Sequence, residues 1–562
     1  MNDKTPVAER GVPLSTFIAW VLVFFAAALL VAKNLVIDNA VVFHDEYLYR
    51  AWSDLRFSRQ QLLDENIVSS IPNRLFTAVY SVTTFAGLNG YDVAQLLNVG
   101  FWAIGTLATL LLARRANVFG GRLVALAIAL VVLPWSSYTK YFMPEAMYAA
   151  IYLASVLVFM KALTERRATL MIGVGFLLGL LYYVKPHGLI ILGINGVFVL
   201  FSQRRWKNIG ALLIGLGLAV LAIRKLTPSL PHPSGNSLGI YTVMLRAQLD
   251  HFLNYRGAML EFFSNLAYVG GGHVMMFLAL CGMPFVAALG IAIPRLGWWA
   301  PSRMMDPQFP RYLLVSTAAL MSVAIVFTVL TAEVGFIHSR YYLFLWPLWA
   351  CFAATLSDGR FTRPGAIFAT LVSVAAIGCA ATLGPIYSAG TRISFISGSP
   401  EWGVLFAPTP IMFLAFAVLL VCSLAYIWMA RAVSAWLGAF ALIGITATVM
   451  AAVGQKTIFR NSFTDGRDAV AVQQVFGRDP LAHMLVIGRD AGEVDKFLFF
   501  LEVTPHVAWL PDGGSVEAAV AASPTVERVI LLSPAYVAPP RFTCSQLAAV
   551  RTCTMSGAPP AQ

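Results

Sequence analysis

From Leu14 to Val36 the chain runs for 23 residues with a single charge, Lys33. The hydrocarbon core of a bilayer takes about 20 apolar residues as a helix. This first run is long enough to stay as an anchor rather than act as a cleaved leader. Similar runs recur: Val93–Ala113, Leu123–Tyr138, Met143–Leu163, Leu170–Val184, Gly188–Phe201, Ile209–Leu226, Val274–Ile293, Tyr312–Leu330, Tyr341–Leu356, Gly365–Leu383, Ile411–Ala430 and Val433–Val453. Backbone polar groups in a bilayer must bond internally, so such runs are helices. The expected fold is an all-α polytopic membrane protein with about 13 transmembrane helices, followed by a small C-terminal α/β domain.

Charge supports that reading and sets an orientation. The chain is 59% hydrophobic and 12% charged, with a net charge of +12; a soluble protein carries about twice that charged fraction. The Lys and Arg sit in short clusters between apolar runs, which excludes nucleic acid as a partner and matches cytoplasmic loops. "LLARRANVFGGR", "TERR", "SQRRWK", "RLGWWAPSR" and "DGRFTRP" alternate with less basic connections. An odd number of spans then places the tail outside the cytoplasm. The stretch 170–201 is too long for one span and has basic residues at both ends, so it reads as a hairpin with "YVKPHG" at its outer tip. Arg224 and Lys225 fall at an outer end against the rule; they either snorkel or serve an anionic ligand.

The outer connections are Asp38–Asp92, Thr139–Phe142, Lys185–His187, Thr227–His273, Thr331–Arg340 and Gly384–Pro410. Within the first, "IPNRLFTAVYSVTTFAG" reads as an interfacial helix lying on the bilayer. The organisation is a membrane module over 1–454, with 37–92 as its first outer loop, and an extracytoplasmic domain over 455–562. In that tail "HMLVIG", "HVAWL" and "RVILLSP" read as buried strands, and "AGEVDKFLFFLE" and "GSVEAAVAAS" as helices. "GRDAGE" lacks the full glycine pattern of a nucleotide turn. Cys281, Cys351, Cys379 and Cys422 read as small buried hydrophobes. Cys544 and Cys553 are candidates for a local disulfide if the tail is outside.

Ionisable residues gather on the outer side: Asp45 and Glu46 in the first loop, Lys140 and Glu145 at the second, Lys185 and His187 at the hairpin tip, and Glu333, His338 and Arg340 in "AEVGFIHSRYYLFLWP". Charged groups near membrane depth mark a functional site by default. Carboxylates beside cations at the mouth of an apolar bundle suit transfer of a sugar from a lipid phosphate. A carboxylate takes the proton of the incoming hydroxyl, and Lys and Arg balance the departing phosphate.

"HDEYLYRAW" resembles the acidic motif of the first outer loop in GT-C type membrane glycosyltransferases, which include the protein O-mannosyltransferases and the lipid A aminoarabinose transferases. Asp45, Glu46, Tyr49 and Ala51 fit it. "YFMPEAMYAAIYLA" resembles their second acidic site at Glu145, "VKPHG" their outer-tip Lys segment at Lys185, and "SRYYLFLWP" their Arg-Tyr segment at Arg340, Tyr341 and Pro347. "SIPNRLF" departs from the His-Pro-Pro-Leu-Tyr type stretch of relatives, keeping Pro72 and Leu75 but carrying Asn73 and Arg74 between them. The resemblance implies an inverting glycosyltransferase for hexosyl or pentosyl transfer in a bacterial inner membrane, using a polyprenyl-phosphate sugar donor and a lipid, glycan or protein acceptor. Asp45 is then the general base, with Glu46 and Glu145 positioning the acceptor or a cation, Mg or Mn. Lys185 and Arg340 bind the donor phosphate; His44, Tyr49, His187, His338 and Tyr341 surround them. A flippase or transporter for lipid-linked saccharides, an O-antigen ligase or polymerase, and a non-catalytic assembly protein are the rival readings. The first would place paired charges near mid-membrane on broken, repeated halves.

Overall fold

The computed structural model describes residues 13–36, 44–53, 74–202, 204–226, 246–301 except 248, 249, 252 and 256, 307–330, 339–356, 359–390, 410–429, 433–449 except 448, 484–489, 506–510 and 514–556 except 524, 548 and 549, with scattered positions between 468 and 497. Each of the thirteen apolar stretches falls on an apolar helix. Eight of these helices have the length and composition to cross a membrane: α1 (Leu14–Val36), α4 (Gly90–Arg115), α6 (Glu145–Glu165), α9 (Arg205–Leu226), α10 (Ala258–Ala292), α11 (Gln308–Leu330), α13 (Arg363–Gly390) and α14 (Pro410–Met429). Five are shorter: α5 (Gly121–Val132), α7 (Ala168–Val184), α8 (Gly188–Leu200), α12 (Trp346–Thr355, entered by a 3-10 turn at Leu343–Leu345) and α15 (Val433–Ala447).

Burial separates the two sides of these helices. Trp102, Trp346, Trp349 and Trp436 are fully buried between them, while Phe24, Phe25, Leu371, Leu414 and Val421 are each 60% exposed or more. A water-soluble protein does not carry that much exposed apolar surface. Facing hydrocarbon it costs nothing, and the chain is an integral membrane protein.

Some helix contacts are written as glycines. A Cβ on Gly175 would lie 2.1 Å from the Leu212 carbonyl oxygen, and one on Gly215 would lie 2.1 Å from that of Ile172. Gly179 meets Ala219 in the same way at 2.5 Å. Gly175 and Gly179 on α7 therefore face Gly215 and Ala219 on α9, four residues apart on each helix, and the two backbones touch where any larger side chain would hold them apart.

Three expectations need correction. The connection Thr227–His273 is not all loop: α10 begins at Ala258 and runs 35 residues, with a kink where Cys281 leaves helical geometry (φ −121°, ψ 15°). Pro284 explains the kink, because it has no N–H and its ring crowds the carbonyl four residues earlier. The interfacial helix is shorter and more enclosed than expected: α3 (Arg74–Tyr80) buries Leu75, Phe76, Thr77 and Tyr80 against protein and passes through a 3-10 stretch, Ser81–Asn89, into α4. Cys379 is exposed and Cys422 partly so, whereas Cys281 and Cys351 are buried as expected. A weakly polar thiol is as acceptable on a lipid-facing helix side as in a core.

The C-terminal part holds a five-stranded sheet of order β4-β3-β5-β7-β6, from β3 (Met484–Gly488), β4 (His506–Trp509), β5 (Arg528–Leu531), β6 (Phe542–Leu547) and β7 (Val550–Met555). β3 runs parallel to β4 and β5, and β5, β7 and β6 are antiparallel. The three expected strands are present, and α16 (Val516–Ala521), capped by the Ser515 hydroxyl, lies in the second expected helix. The β6–β7 hairpin places Cys544 opposite Cys553, and the two form a disulfide. A second, two-stranded sheet pairs β1 (Trp299–Pro301) with β2 (Gly359–Phe361), joining two of the basic connections.

Candidate active site

The site is built around the connection between α5 and α6, because buried polar side chains of two helices hold its backbone. Asn34 of α1 donates to the Thr139 carbonyl at 3.3 Å. On α4, Tyr91 and Gln95 donate to the Lys140 carbonyl at 2.5 and 3.4 Å, and Asn98 donates to that of Tyr141 at 2.6 Å. Tyr80 donates to the Asn98 side-chain oxygen. The positions 91, 95 and 98 follow the helical repeat, so one face of α4 carries all three donors.

α2 (His44–Ser53) docks on the same connection. Glu46 is fully buried and its Oε1 accepts the Phe142 N–H at 2.7 Å. Tyr49, one turn on, packs edge-on against Phe76 with centroids 5.2 Å apart, and Phe76 stacks on Tyr80 at 4.0 Å. Phe142 closes this cluster against Phe76 and Tyr80. Glu46 thus binds main chain three residues before Glu145. The side chains of His44 and Asp45, and all of Glu333 and His338, lie outside the described residues.

Glu145 opens α6, where a carboxylate suits the helix dipole. Its Oε1 accepts from Lys185 Nζ at 2.5 Å, with the two side chains only 7% and 12% exposed. Lys185 reaches it because of the local sequence. Preceding Pro186, it is driven to extended backbone (φ −148°, ψ 141°) and ends α7. Gly188 then lets α8 start against α7: a Cβ there would lie 2.6 Å from the Tyr182 nitrogen.

Arg340 comes from the 3-10 turn Ser339–Tyr341. The buried Tyr341 ring gathers the cations: Arg340 Cζ lies 5.4 Å and Lys185 Nζ 6.0 Å from its centroid, and the His187 ring lies 4.6 Å from it. Burial, and then the charges of Lys185 and Arg340, push the His187 pKa down to about 3, so its ring is neutral at pH 7.

Trp135, Tyr138, Tyr148 and Phe344 complete a cavity of about 20 Å³ around Glu145, Lys185, His187, Arg340 and Tyr341. That is space for about one water. Into it face a carboxylate, two cations, a neutral imidazole and phenols. Glu145 Oε2 and the Tyr148 hydroxyl are buried with no hydrogen-bond partner among the described residues. Chemically the arrangement could receive an anion, with Glu145 as the present partner of Lys185.

Of the expected residues, the structure therefore brings together Glu145, Lys185, His187, Arg340 and Tyr341, and sets Glu46 and Tyr49 against the adjoining connection. Sequence reasoning missed Tyr138, Tyr148 and Trp135. Tyr148 was findable, since it lies three residues after Glu145 on a helix and so shares its face. It also missed His273, fully buried on α10, whose Nδ1 lies 2.7 Å from the Tyr342 hydroxyl. Arg224 and Lys225 are exposed at the end of α9, which fits both snorkelling and service to an anionic ligand.

Among the described residues, no group of three His, Cys, Asp or Glu is placed to hold a metal ion. No family model and no curated protein sequence matches the chain. Solved structures do. ArnT from Cupriavidus metallidurans in the apo state aligns over 96% of this chain and 98% of its own, at 16% identity and a TM-score of 0.52. The same protein bound to undecaprenyl phosphate aligns over 97% and 98%, at 14% identity and 0.48. The archaeal oligosaccharyltransferase AglB from Archaeoglobus fulgidus, in complex with an inhibitory peptide and a dolichol-phosphate, aligns over 92% and 70%, at 12% identity and 0.41. The apo ArnT alignment shows that the chain has the fold of that protein.

Proposed function

We propose that this chain is a membrane glycosyltransferase that moves a sugar from a polyprenyl-phosphate carrier to a lipid, glycan or protein acceptor. The observation that carries this reading is the meeting of Lys185 and Arg340 with Glu145 in one pocket at the end of an apolar bundle of GT-C fold. The carrier's tail stays in the bilayer and its phosphate reaches the helix ends. There it takes Lys185 from Glu145 and adds Arg340, whose planar fork suits two phosphate oxygens. His187, being neutral, offers a hydrogen bond without adding a third positive charge. As the bond from sugar to phosphate breaks, the two cations balance the growing charge on the leaving oxygen.

Asp45 is the proposed base. It precedes Glu46 on α2, and the Glu46 bond to Phe142 N fixes that helix beside the connection leading to Glu145. A single displacement with one base leaves no covalent intermediate, so the anomeric configuration inverts. The described residues offer no three-donor set for Mg or Mn, and no step here runs through a metal. The pocket is assigned to the outer side of a bacterial inner membrane, with the tail also outside; the basic connections at the opposite helix ends and the Cys544–Cys553 disulfide support that side. A transporter is less well supported, because the described ion pair lies at helix ends rather than at mid-membrane.

The test is to incubate purified protein with a panel of polyprenyl-phosphate sugars and candidate acceptors, with mass spectrometry and NMR of the products. Transfer with inversion is expected, and Asp45→Asn should lower it by about 100-fold to 10,000-fold. Carrier translocation without transfer, or wild-type turnover by Asp45→Asn, would count against this reading.

A further inference from the structure

We propose a second binding site, for the headgroup of an anionic glycerophospholipid, at the membrane face opposite the pocket of Glu145 and Lys185. α6 begins at Glu145 and ends at Glu165, so the groove beyond its far end is a full helix length from that pocket. The groove has a volume of about 690 Å³ and is lined in part by Arg166, Arg204 and Arg311.

The three arginines are held there by the backbone. Arg166 takes the left-handed conformation (φ 55°) that ends α6. Arg204 Nη1 donates to the Arg166 carbonyl at 3.3 Å. Arg311 Nε donates to the Ala292 carbonyl at 3.1 Å, which fixes its guanidinium while leaving the terminal nitrogens to other partners. Among the described residues, the adjoining carboxylate Glu165 is taken by Arg115 at 3.0 Å and Arg167 at 3.5 Å. Two long helices, α9 and α11, also begin at this rim, at Arg205 and Gln308, and turn the positive ends of their dipoles toward it.

The groove also has apolar lining. Val197, Phe201 and Val315 belong to it and are 47%, 87% and 43% exposed. Basic residues alone would describe any water-facing connection on this side, and exposed apolar residues alone would describe any lipid-facing helix. Both in one concavity match a molecule with a phosphate at one end and hydrocarbon at the other. Asn208, whose amide donates to Ser202 Oγ at 3.0 Å, adds an uncharged polar group to the lining. A free phosphate would use the arginines and leave the apolar wall unused.

Native mass spectrometry of detergent-purified protein tests this, with phosphatidylglycerol, phosphatidylcholine of the same acyl chains, and glycerol phosphate as probes. Each interfacial Arg contributes about 1 kcal/mol toward an anionic lipid, so phosphatidylglycerol should be retained about tenfold or more over phosphatidylcholine. Glycerol phosphate should not displace it. Arg166→Asn, which suits left-handed backbone, and Arg311→Gln should each weaken retention several-fold, and Arg360→Gln, exposed on the same face but outside the groove, should not. Using Arg166→Asn keeps the test independent of the Arg311 bond to α10. Equal retention of the two lipids, full retention by both groove variants, or displacement by glycerol phosphate would overturn the proposal.

Discussion

At the scale of single residues, the question is why Lys185 is already paired. A buried ammonium without a partner costs several kcal/mol, so the proposed phosphate site needs a resident counter-ion. Glu145 fills that need with one oxygen and leaves Oε2 free for another contact. Structure and activity then separate. Lys185→Ala strands a buried carboxylate and should lower stability by about 3–5 kcal/mol. Glu145→Gln with Lys185→Met removes both charges and should regain most of that stability while transfer stays lost. Thermal unfolding in detergent beside a turnover assay checks this; recovered turnover in the double variant would reduce the pair to scaffolding. His187 gives a second prediction. Its folded pKa of about 3 lies below the unfolded value of about 6.5. The unfolded chain therefore binds the extra proton first as pH falls. The stability from keeping His187 neutral is complete above about pH 6.5 and drains away toward pH 3. His187→Gln should flatten the pH dependence of unfolding in that window, and an unchanged slope would show that His187 does not titrate this way. Charge is what made this site legible in the sequence: Glu145, Lys185 and Arg340 stand out in an apolar chain. Tyr138, Tyr148 and Trp135 did not, because aromatic residues at span ends are so often interfacial anchors.

At the scale of elements, legibility followed hydrophobic pattern. The apolar runs that form helices were visible because a lipid-facing helix is apolar all round and leaves a long unbroken signal. The β6–β7 hairpin was not visible. β6 exposes four of its six residues, so it has no apolar alternation to read, and it owes its place to main-chain pairing and the disulfide. β1 and β2 are three residues each, too short for any period. The first half of α10 was read as loop because Glu261, Asn265 and a run of glycines at 270–272 dilute its apolar character. The glycines of α7 and α9 carry a prediction of their own. Gly215→Val places methyl groups where the Ile172 carbonyl already lies 2.1 Å from the first added carbon. The helices must separate, moving Lys185 at the end of α7. Overpacked cores lose about 1–3 kcal/mol, so the variant should unfold earlier and transfer more slowly. Gly217→Val, with open space around its Cβ, is the control, and equal effects at the two positions would remove the argument from close approach.

At the scale of the whole molecule, the described contacts sort the helix ends into two sets. One set joins Asn34 to Thr139, Tyr91 to Lys140, Glu46 to Phe142 and Glu145 to Lys185, all in connections poor in Lys and Arg clusters. The other joins Arg115 to Glu165, Arg204 to Arg166 and β1 to β2, all in the basic connections. Each of these contacts stays within one set, as the alternation read from sequence expects. In the proposed topology each of the thirteen apolar helices leads from one set to the other. If each crosses, the chain's start and its C-terminal sheet lie on opposite sides, with the sheet on the side of Glu145. The proposed orientation takes its sides from the basic connections, since clusters of Lys and Arg favour the cytoplasm. The disulfide agrees independently, because such bonds persist where thiols are oxidised. The prediction is that alkaline phosphatase fused after Gln562 is active and a fluorescent protein fused there is dark, while the reverse holds for fusions truncated in the basic connections near Val118 and Arg360. A thiol reagent that cannot cross the membrane should also label the tail in intact spheroplasts only after reduction of Cys544 and Cys553. Fluorescence at Gln562 would turn the pocket toward the cytoplasm, where donors are nucleotide-linked, and would remove the reason to expect a lipid-phosphate sugar there.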